Sequence, residues 1–376
     1  LRASDATSPR GGGTTAAGRG GTSPGAEFEI WRNGLRRRSL EHVADFVDTR
    51  CLPQLERTGV DITGDVLVQF VDGGKCLRSA FMYLGWLCGA DPDDAALRAA
   101  SGLELLHAFA LLQDDVMDDS PLRRGRPAAH VQFGQWHLDH GLSGSPDRFG
   151  AAVSVLLSDL CLVWAEQMMR ESGVAPDALH RAWPHYDAMR IELAVGQCAD
   201  VANDAGAHPD LEAVLDVARR KSGNYTVRRP LEIGAAMAGC DHLIDALGAY
   251  GSAIGEAFQM RDDILGVFGS PAVTGKPAGG DLAERKATSV VVAAHRMADS
   301  AIRRQFAELT SAEDLTDSDI AHWRTLIVAT GAADWIEELI AERVDTATAA
   351  ICDDRIDDWV QNALADMAAV CTLRMT

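Results

Sequence analysis

Four aspartates fall within six residues of the stretch HAFALLQDDVMDDS: Asp114, Asp115, Asp118 and Asp119. They close an apolar run of helical period, and that placement has a cost. Side chains at i and i+4 share one face of a helix, and like charges there destabilise by roughly 0.2–0.5 kcal/mol per pair. Negative charge at a helix C-terminus also opposes the macrodipole. Either this end is open to solvent or a cation belongs there. A second pair, Asp262 and Asp263 in FQMRDDILG, ends another long apolar run about 150 residues later. Carboxylates at two such helix ends are the oxygen ligands that hard cations take, and Mg²⁺ uses one or two of them with waters and substrate phosphates. The expectation is that Asp114 and Asp118 share a face and that Asp262 points at them across a common cavity.

Cations follow each cluster. Arg123, Arg124 and Arg126 come after the first; Lys276 and Lys286 come after the second; Lys75 and Arg78 in GGKCLRSAF and Lys221 in KSGNY lie outside both. Taken singly, each reads as a solvated surface charge. Together with the acid clusters they describe a diphosphate held partly through metal and partly by forked Arg and point-charge Lys contacts. Gly73 and Gly74 let backbone N–H groups come close to phosphate oxygens. No Ser/His/Asp or Cys/His arrangement for nucleophilic catalysis is apparent.

Such residues must be positioned by helices. From Glu27 onward apolar residues recur at three and four, as in Leu35, Leu40, Val43, Phe46 and Val47. Helices are predicted over roughly 75–89, 94–118, 147–172, 175–203, 209–221, 226–239, 243–267, 287–309, 315–329, 332–346 and 347–370. Alternating strand patterns are rare. The predicted fold is all-α, one large helical bundle around a central cavity over residues 27–376, behind a Gly/Ser/Thr-rich disordered tail at residues 1–26. The long breaker GSPAVTGKPAGGD at 269–281 reads as a functional loop.

A chain of 376 residues with 47% apolar and 24% charged content has an ordinary globular make-up. A net charge of −20 argues against nucleic acid and against anionic membrane surfaces. No apolar run is expected to reach membrane-spanning length. Eight scattered cysteines without C-x-x-C spacing read as reduced thiols, which suits a cytoplasmic location.

The order of these pieces resembles the trans-isoprenyl diphosphate synthases, the polyprenyl synthetase family, from about residue 35 to 370. The carrying stretches are GGKCLRSAF, LLHAFALLQDDVMDDSPLRRGRPAAH, GQCAD, KSGNYTVRRPLEIG and FQMRDDILGVFGSPAVTGKPAGGDL. The DDILGVFG wording is similar to actinobacterial geranylgeranyl diphosphate synthases. The resemblance implies a Mg²⁺-dependent condensation of isopentenyl diphosphate with an allylic diphosphate in a homodimer, with about three ions once substrate is bound. It implies metal ligation by Asp114, Asp115, Asp118, Asp262 and Asp263. Gly74, Lys75, Arg78, His107 and Arg124 match the isopentenyl diphosphate pocket. Arg123, Lys221, Lys276 and Lys286 match the cations on the allylic diphosphate. Gln197, Asp200 and Gln259 match polar residues near the metals. Several positions depart from the family pattern. Gly266 stands where the second motif has its third aspartate. Cys76 and Ser79 interrupt the G-K-R-x-R-P run, and Gly280, Arg285 and Ala287 alter the loop 276–288 around Lys286.

Chain length would be read at Phe109 and Ala110, roughly 5–8 Å below Asp114 at 1.5 Å rise per residue. A bulky first position and a small second one fit a C20 product, geranylgeranyl diphosphate, with farnesyl diphosphate (C15) next. A terpene cyclase or a non-catalytic partner subunit are the rivals. A cyclase has little reason to keep Lys75, Arg78, His107 and Arg124, and a silent subunit has little reason to keep the first aspartate cluster.

Overall fold

The computed structural model describes residues 24–205, 210–269, 279–312 and 314–373. It is all-α, as expected, and its only sheet among the described residues is a two-residue ladder of β1 (Leu122–Arg123) and β2 (Arg126–Pro127). The chain divides into two compact units.

The first unit holds α1 (Pro24–Phe46), α2 (Thr63–Val71), α3 (Leu77–Leu87), α4 (Asp94–Met117), α5 (Ala129–Asp139) and α6 (Pro146–Arg170). Pro24–Ala26, expected in the tail, are the first residues of α1; residues 1–23 lie outside the described residues. α4 begins at Asp93, whose carboxylate accepts from the Ala95 N–H at 3.0 Å and satisfies one orphan donor of the first turn. Its middle is buried all round, including Leu97, Leu103, Leu105, Leu106 and Leu112, and it packs against α3 and α6. By length and composition α4 and α6 could each cross a membrane, against the expectation that no run reaches that length. The apolar window of α4 is 67% buried within the protein, as in a core helix.

The helix α7 (Pro176–Ala205) runs from the first unit into the second. Then come α8 (Leu211–Ala218), a π-helical run at Arg219–Arg228, and α9 (Arg229–Ala238). The two helices expected at 209–221 and 226–239 are therefore continuous through Gly223. The reason is tertiary. A Cβ on Gly223 would lie 2.9 Å from the Gly255 carbonyl carbon, so two helix backbones touch there. The partner helix is α10 (Ile244–Phe268), followed by a single turn at Gly280–Ala283 and by α11 (Ser289–Met297), α12 (Ser300–Ser311), α13 (Asp317–Ala329), α14 (Ala332–Ile351) and α15 (Asp358–Thr372). The helix expected at 287–309 breaks at Ala298 because Asp299 caps a new helix, accepting from Ala301 and Ile302 N–H at 2.8 and 2.9 Å. The expected break at 346–347 is absent, and the chain breaks instead after Ile351, with Asp357 capping α15.

A buried ionic network ties α7 to the end of the π-helical run. Glu232, 1% exposed, accepts from Arg228 at 2.7 Å, Arg229 at 2.5 Å and His185 at 3.3 Å. Glu192 accepts from Arg229 and Asn224 at 3.0 Å each. Burial by itself would raise the Glu232 carboxyl, but the hydrogen bonds from His185 and Arg228 and the charges of the two arginines outweigh it and lower it. A depressed carboxyl stabilises the fold at neutral pH, and that stabilisation is lost as pH falls through its folded-state pKa. Glu232→Gln is expected to cost about 2–3 kcal/mol, because it strands charge in a partly buried place. A lower urea midpoint at unchanged slope checks this; an unchanged midpoint refutes it.

Candidate active site

The first acidic cluster caps α4. Asp118 closes the helix through its N–H to the Asp114 carbonyl at 2.8 Å, and Ser120 N–H reaches the Asp115 carbonyl at 3.0 Å. Asp114 and Asp118 are half-buried and share the i, i+4 face, while Asp115 is fully buried and Asp119 is exposed. So the cluster is neither fully solvated nor fully buried. Phe109 and Ala110 are half-buried on the turns below, and His107 is half-buried two turns back. Gln113 donates to Ser158 Oγ of α6 at 2.9 Å, which fixes the rotation of this last stretch.

The GGK loop comes to the same helix. A Cβ on Gly74 would sit 3.3 Å from Glu104 Oε2, one turn before His107. Glu104, 6% exposed, accepts from Ser79 Oγ at 2.7 Å. Ser79, a departure from the family pattern, thus seats a buried carboxylate beside the loop. Lys75 is exposed and Arg78 half-buried. Cys76 starts α3 with φ +50°, a left-handed conformation.

In the second unit, Arg123 ends β1 and Arg124 (φ +52°) leads the turn after it. Lys221 lies in the π-helical run and donates to Asp200 Oδ2 at 2.6 Å, which joins the KSGNY and GQCAD stretches. Gln197 is half-buried one turn before Asp200, and its buried Nε2 has no hydrogen-bond partner among the described residues.

On α10 the two aspartates differ. Asp262 is half-buried. Asp263 is 6% exposed, and both its oxygens are occupied: Oδ1 accepts from Gln259 Nε2 at 2.8 Å, and Oδ2 accepts from Ser289 N–H at 2.8 Å and Ser289 Oγ at 2.6 Å. Burial pushes its carboxyl up to about 6 against these donors, and Asp281 pushes the same way. Asp263 and Gln259, expected on metal and substrate, are here engaged with each other and with the start of α11. Sequence reasoning missed Ser289, and it missed Arg261, which forks onto Glu337 at 2.6 Å through both terminal nitrogens and holds the opposite side of α10.

The glycine in the second motif also has a spatial explanation. A Cβ on Gly266 would stand 1.7 Å from Asp281 Oδ2 and 2.5 Å from its Cγ. The carboxylate of Asp281 fills the room that a side chain at 266 would need. The turn carrying it is anchored by Leu282, 1% exposed against Ala257, Met260 and Ile264. Lys286 pairs with Glu284 at 3.0 Å, and Lys276 lies outside the described residues.

The donor set is made of hard carboxylate oxygens. Among the described residues no three His, Cys, Asp or Glu side chains stand together as a cage. Hard oxygen donors suit a hard cation. They fit Mg²⁺, which keeps waters and completes its shell with phosphate oxygens.

The polyprenyl synthetase family matches residues 61–327. A geranylfarnesyl diphosphate synthase of Aeropyrum pernix is 33% identical over 269 residues, 70% of this chain and 79% of that protein. A geranylgeranyl diphosphate synthase of Mycobacterium tuberculosis is 32% identical over 283 residues, 74% of this chain and 75% of that one. A crystal structure of geranylgeranyl pyrophosphate synthase from Corynebacterium glutamicum, complexed with isoprenyl diphosphate and magnesium, superposes with a TM-score of 0.85 at 34% identity, over 92% of this chain and 99% of that one.

Proposed function

Since this chain belongs to the polyprenyl synthetase family and is a prenyltransferase, we propose that it condenses isopentenyl diphosphate with an allylic diphosphate and releases geranylgeranyl diphosphate. The observation that carries the reading is the half-buried Asp114–Asp118 face at the end of an apolar core helix. When bound, Mg²⁺ would neutralise the departing diphosphate as a Lewis acid and template. By their places in the family's two aspartate motifs, Asp114 and Asp118 of α4 and Asp262 of α10 would be its ligands, while Asp115 is buried and Asp263 braces α10. Lys221, Lys286 and Arg123 supply preorganised positive potential where the leaving group's charge develops; Lys276 joins them by its place in the motif. By their places in the motifs, Lys75, Arg78, His107 and Arg124 would bind isopentenyl diphosphate, and Gln197 would serve substrate as well. The allylic C–O bond breaks, a C–C bond forms to the isopentenyl double bond, and one proton leaves.

Phe109 would act as the floor under the growing chain. Each further methylene buried gains about 0.8 kcal/mol, so a deeper channel readily keeps a longer product. Phe109→Ala is expected to shift the main product from C20 to longer chains; unchanged chromatograms would remove Phe109 from that role. The exposed Val155, Leu156 and Val163 on α6 support a homodimer through that helix, and light scattering at a monomer mass would refute it. Eight free cysteines support a reducing, cytoplasmic setting.

One assay tests the reading, with protein, Mg²⁺, isopentenyl diphosphate and each of the C5, C10 and C15 primers, and with products identified by mass. A cyclic hydrocarbon formed from geranylgeranyl diphosphate alone would overturn it in favour of a cyclase. A C15 main product would overturn the product assignment only.

A further inference from the structure

The run Arg36-Arg37-Arg38 on α1 looks like a solvated charge patch, but a helix turns about 100° per residue and sends the three apart. Arg37 is exposed, 3.8 Å from Glu41. Arg38 crosses to Asp94 at the start of α4 at 2.7 Å. Arg36 does something different. Its Nε donates to the Gly74 carbonyl at 2.7 Å and its Nη2 to the Gly73 carbonyl at 3.3 Å. Two consecutive carbonyls of the GGK loop therefore point at one guanidinium.

The consequence follows from peptide geometry. In a trans peptide the C=O and the following N–H point in opposite directions. Holding the Gly73 and Gly74 carbonyls toward Arg36 aims the N–H groups of Gly74 and Lys75 away from it. Successive N–H groups aimed the same way form an anion-binding concavity. We propose that Arg36 is a positioning residue for isopentenyl diphosphate: it fixes the GGK loop so that the Gly74 and Lys75 amides, beside the Lys75 ammonium, receive the diphosphate. The proposal rests on the reading of that loop as the isopentenyl diphosphate pocket.

The surroundings agree with a fixed loop. Besides the guanidinium, the buried Glu104, held by Ser79, stands 3.3 Å from the Cβ position of Gly74. Cys76 at the loop's end registers both charges: burial first, then Glu104, push its thiol far above the ordinary range, and Arg36 draws it back. A planar fork is suited to two adjacent carbonyls in a way a lysine is not, because its donors are set at fixed angles.

The test compares wild type, Arg36→Ala and Arg36→Lys, with Arg37→Ala as the neighbouring surface control. Titration calorimetry with isopentenyl diphosphate is read beside KM for each substrate, kcat and Tm. Arg36→Ala is expected to weaken isopentenyl diphosphate binding and raise its KM about tenfold or more, with the allylic KM within about twofold; a lost hydrogen bond to a charged group is of that order. Arg36→Lys, keeping one donor, should fall between, and Arg37→Ala should match wild type. An unchanged isopentenyl diphosphate affinity in Arg36→Ala overturns the assignment, as does an equal rise in both KM values. A wild-type protein that condenses prenyl diphosphates but shows no weakening in Lys75→Ala overturns the reading of the loop itself, which separates the two failures.

Discussion

Replacing Asp114 by Ala or Asn is expected to lower turnover by about 10³-fold or more. Asp114 lies in the last turn of α4, on the same face as Asp118. During the reaction the same carboxylate would help hold the cation that carries the leaving group's charge, and its loss removes about 4 kcal/mol of barrier lowering, which is that fold-change at 1.36 kcal/mol per decade. The control is Asp119→Asn, beside Asp118 in sequence but with its side chain fully exposed. It should leave turnover within about twofold. Steady-state rates at saturating Mg²⁺ and both diphosphates, read beside Tm, decide the matter. An Asp114→Asn protein keeping a tenth of wild-type turnover would show that the cluster is only an acidic helix end.

The second large effect is expected at Gly266. A methyl group there cannot coexist with the Asp281 carboxylate, whose Oδ2 lies 1.7 Å from the Cβ position. The obstacle is the end of a side chain, so Gly266→Ala should fold. In a helix interior Ala is even favoured over Gly by about 1 kcal/mol. What should change is where Asp281 points. With its carboxylate expelled, the half-saturating Mg²⁺ concentration is expected to rise about 10–100-fold, the usual effect of losing a group that supports metal ligands. Asp281→Ala should do the same. The exchange variant Gly266→Asp with Asp281→Ala returns a carboxylate to the same space and should recover at least a tenfold share of the loss. Mg²⁺ titrations, followed both by turnover and by the thermal shift with inorganic pyrophosphate, test this. If Gly266→Ala leaves both titrations unchanged, the space shared by the two residues has no bearing on metal.

That pair also marks the limit of reading along the chain. The second motif lacks a carboxylate at 266, and the sequence offers no sign that residue 281 fills the gap, because the link runs through space across fifteen positions. The departures at Ser79 and Asp263 are alike. Ser79 reads as a lost motif residue until its hydroxyl is found on Glu104. Asp263 reads as a twin of Asp262 until Ser289 and Gln259 are found on both its oxygens. Arg36 sits in a run of like charges that looks solvated from its composition.

What the sequence determined by itself was whatever depends on periodicity and local chemistry. Helical spacing implies an all-α fold, and most helices lie near their expected ranges, because amphipathic repeats and side-chain caps such as Asp93 and Asp299 act within a few residues. Aspartates at the ends of apolar helices pointed to a cation or to solvent, and the order of Lys and Arg around them pointed to a diphosphate, because both signals are local chemistry. Tertiary structure alone decided the rest. The contact of Gly223 with Gly255 carries a helix through KSGNY, where local breakers predict a stop. Which aspartate faces outward, which braces a helix and which arginine orients the GGK loop were settled by packing, since side chains adjacent in sequence leave a helix in different directions and meet partners far along the chain.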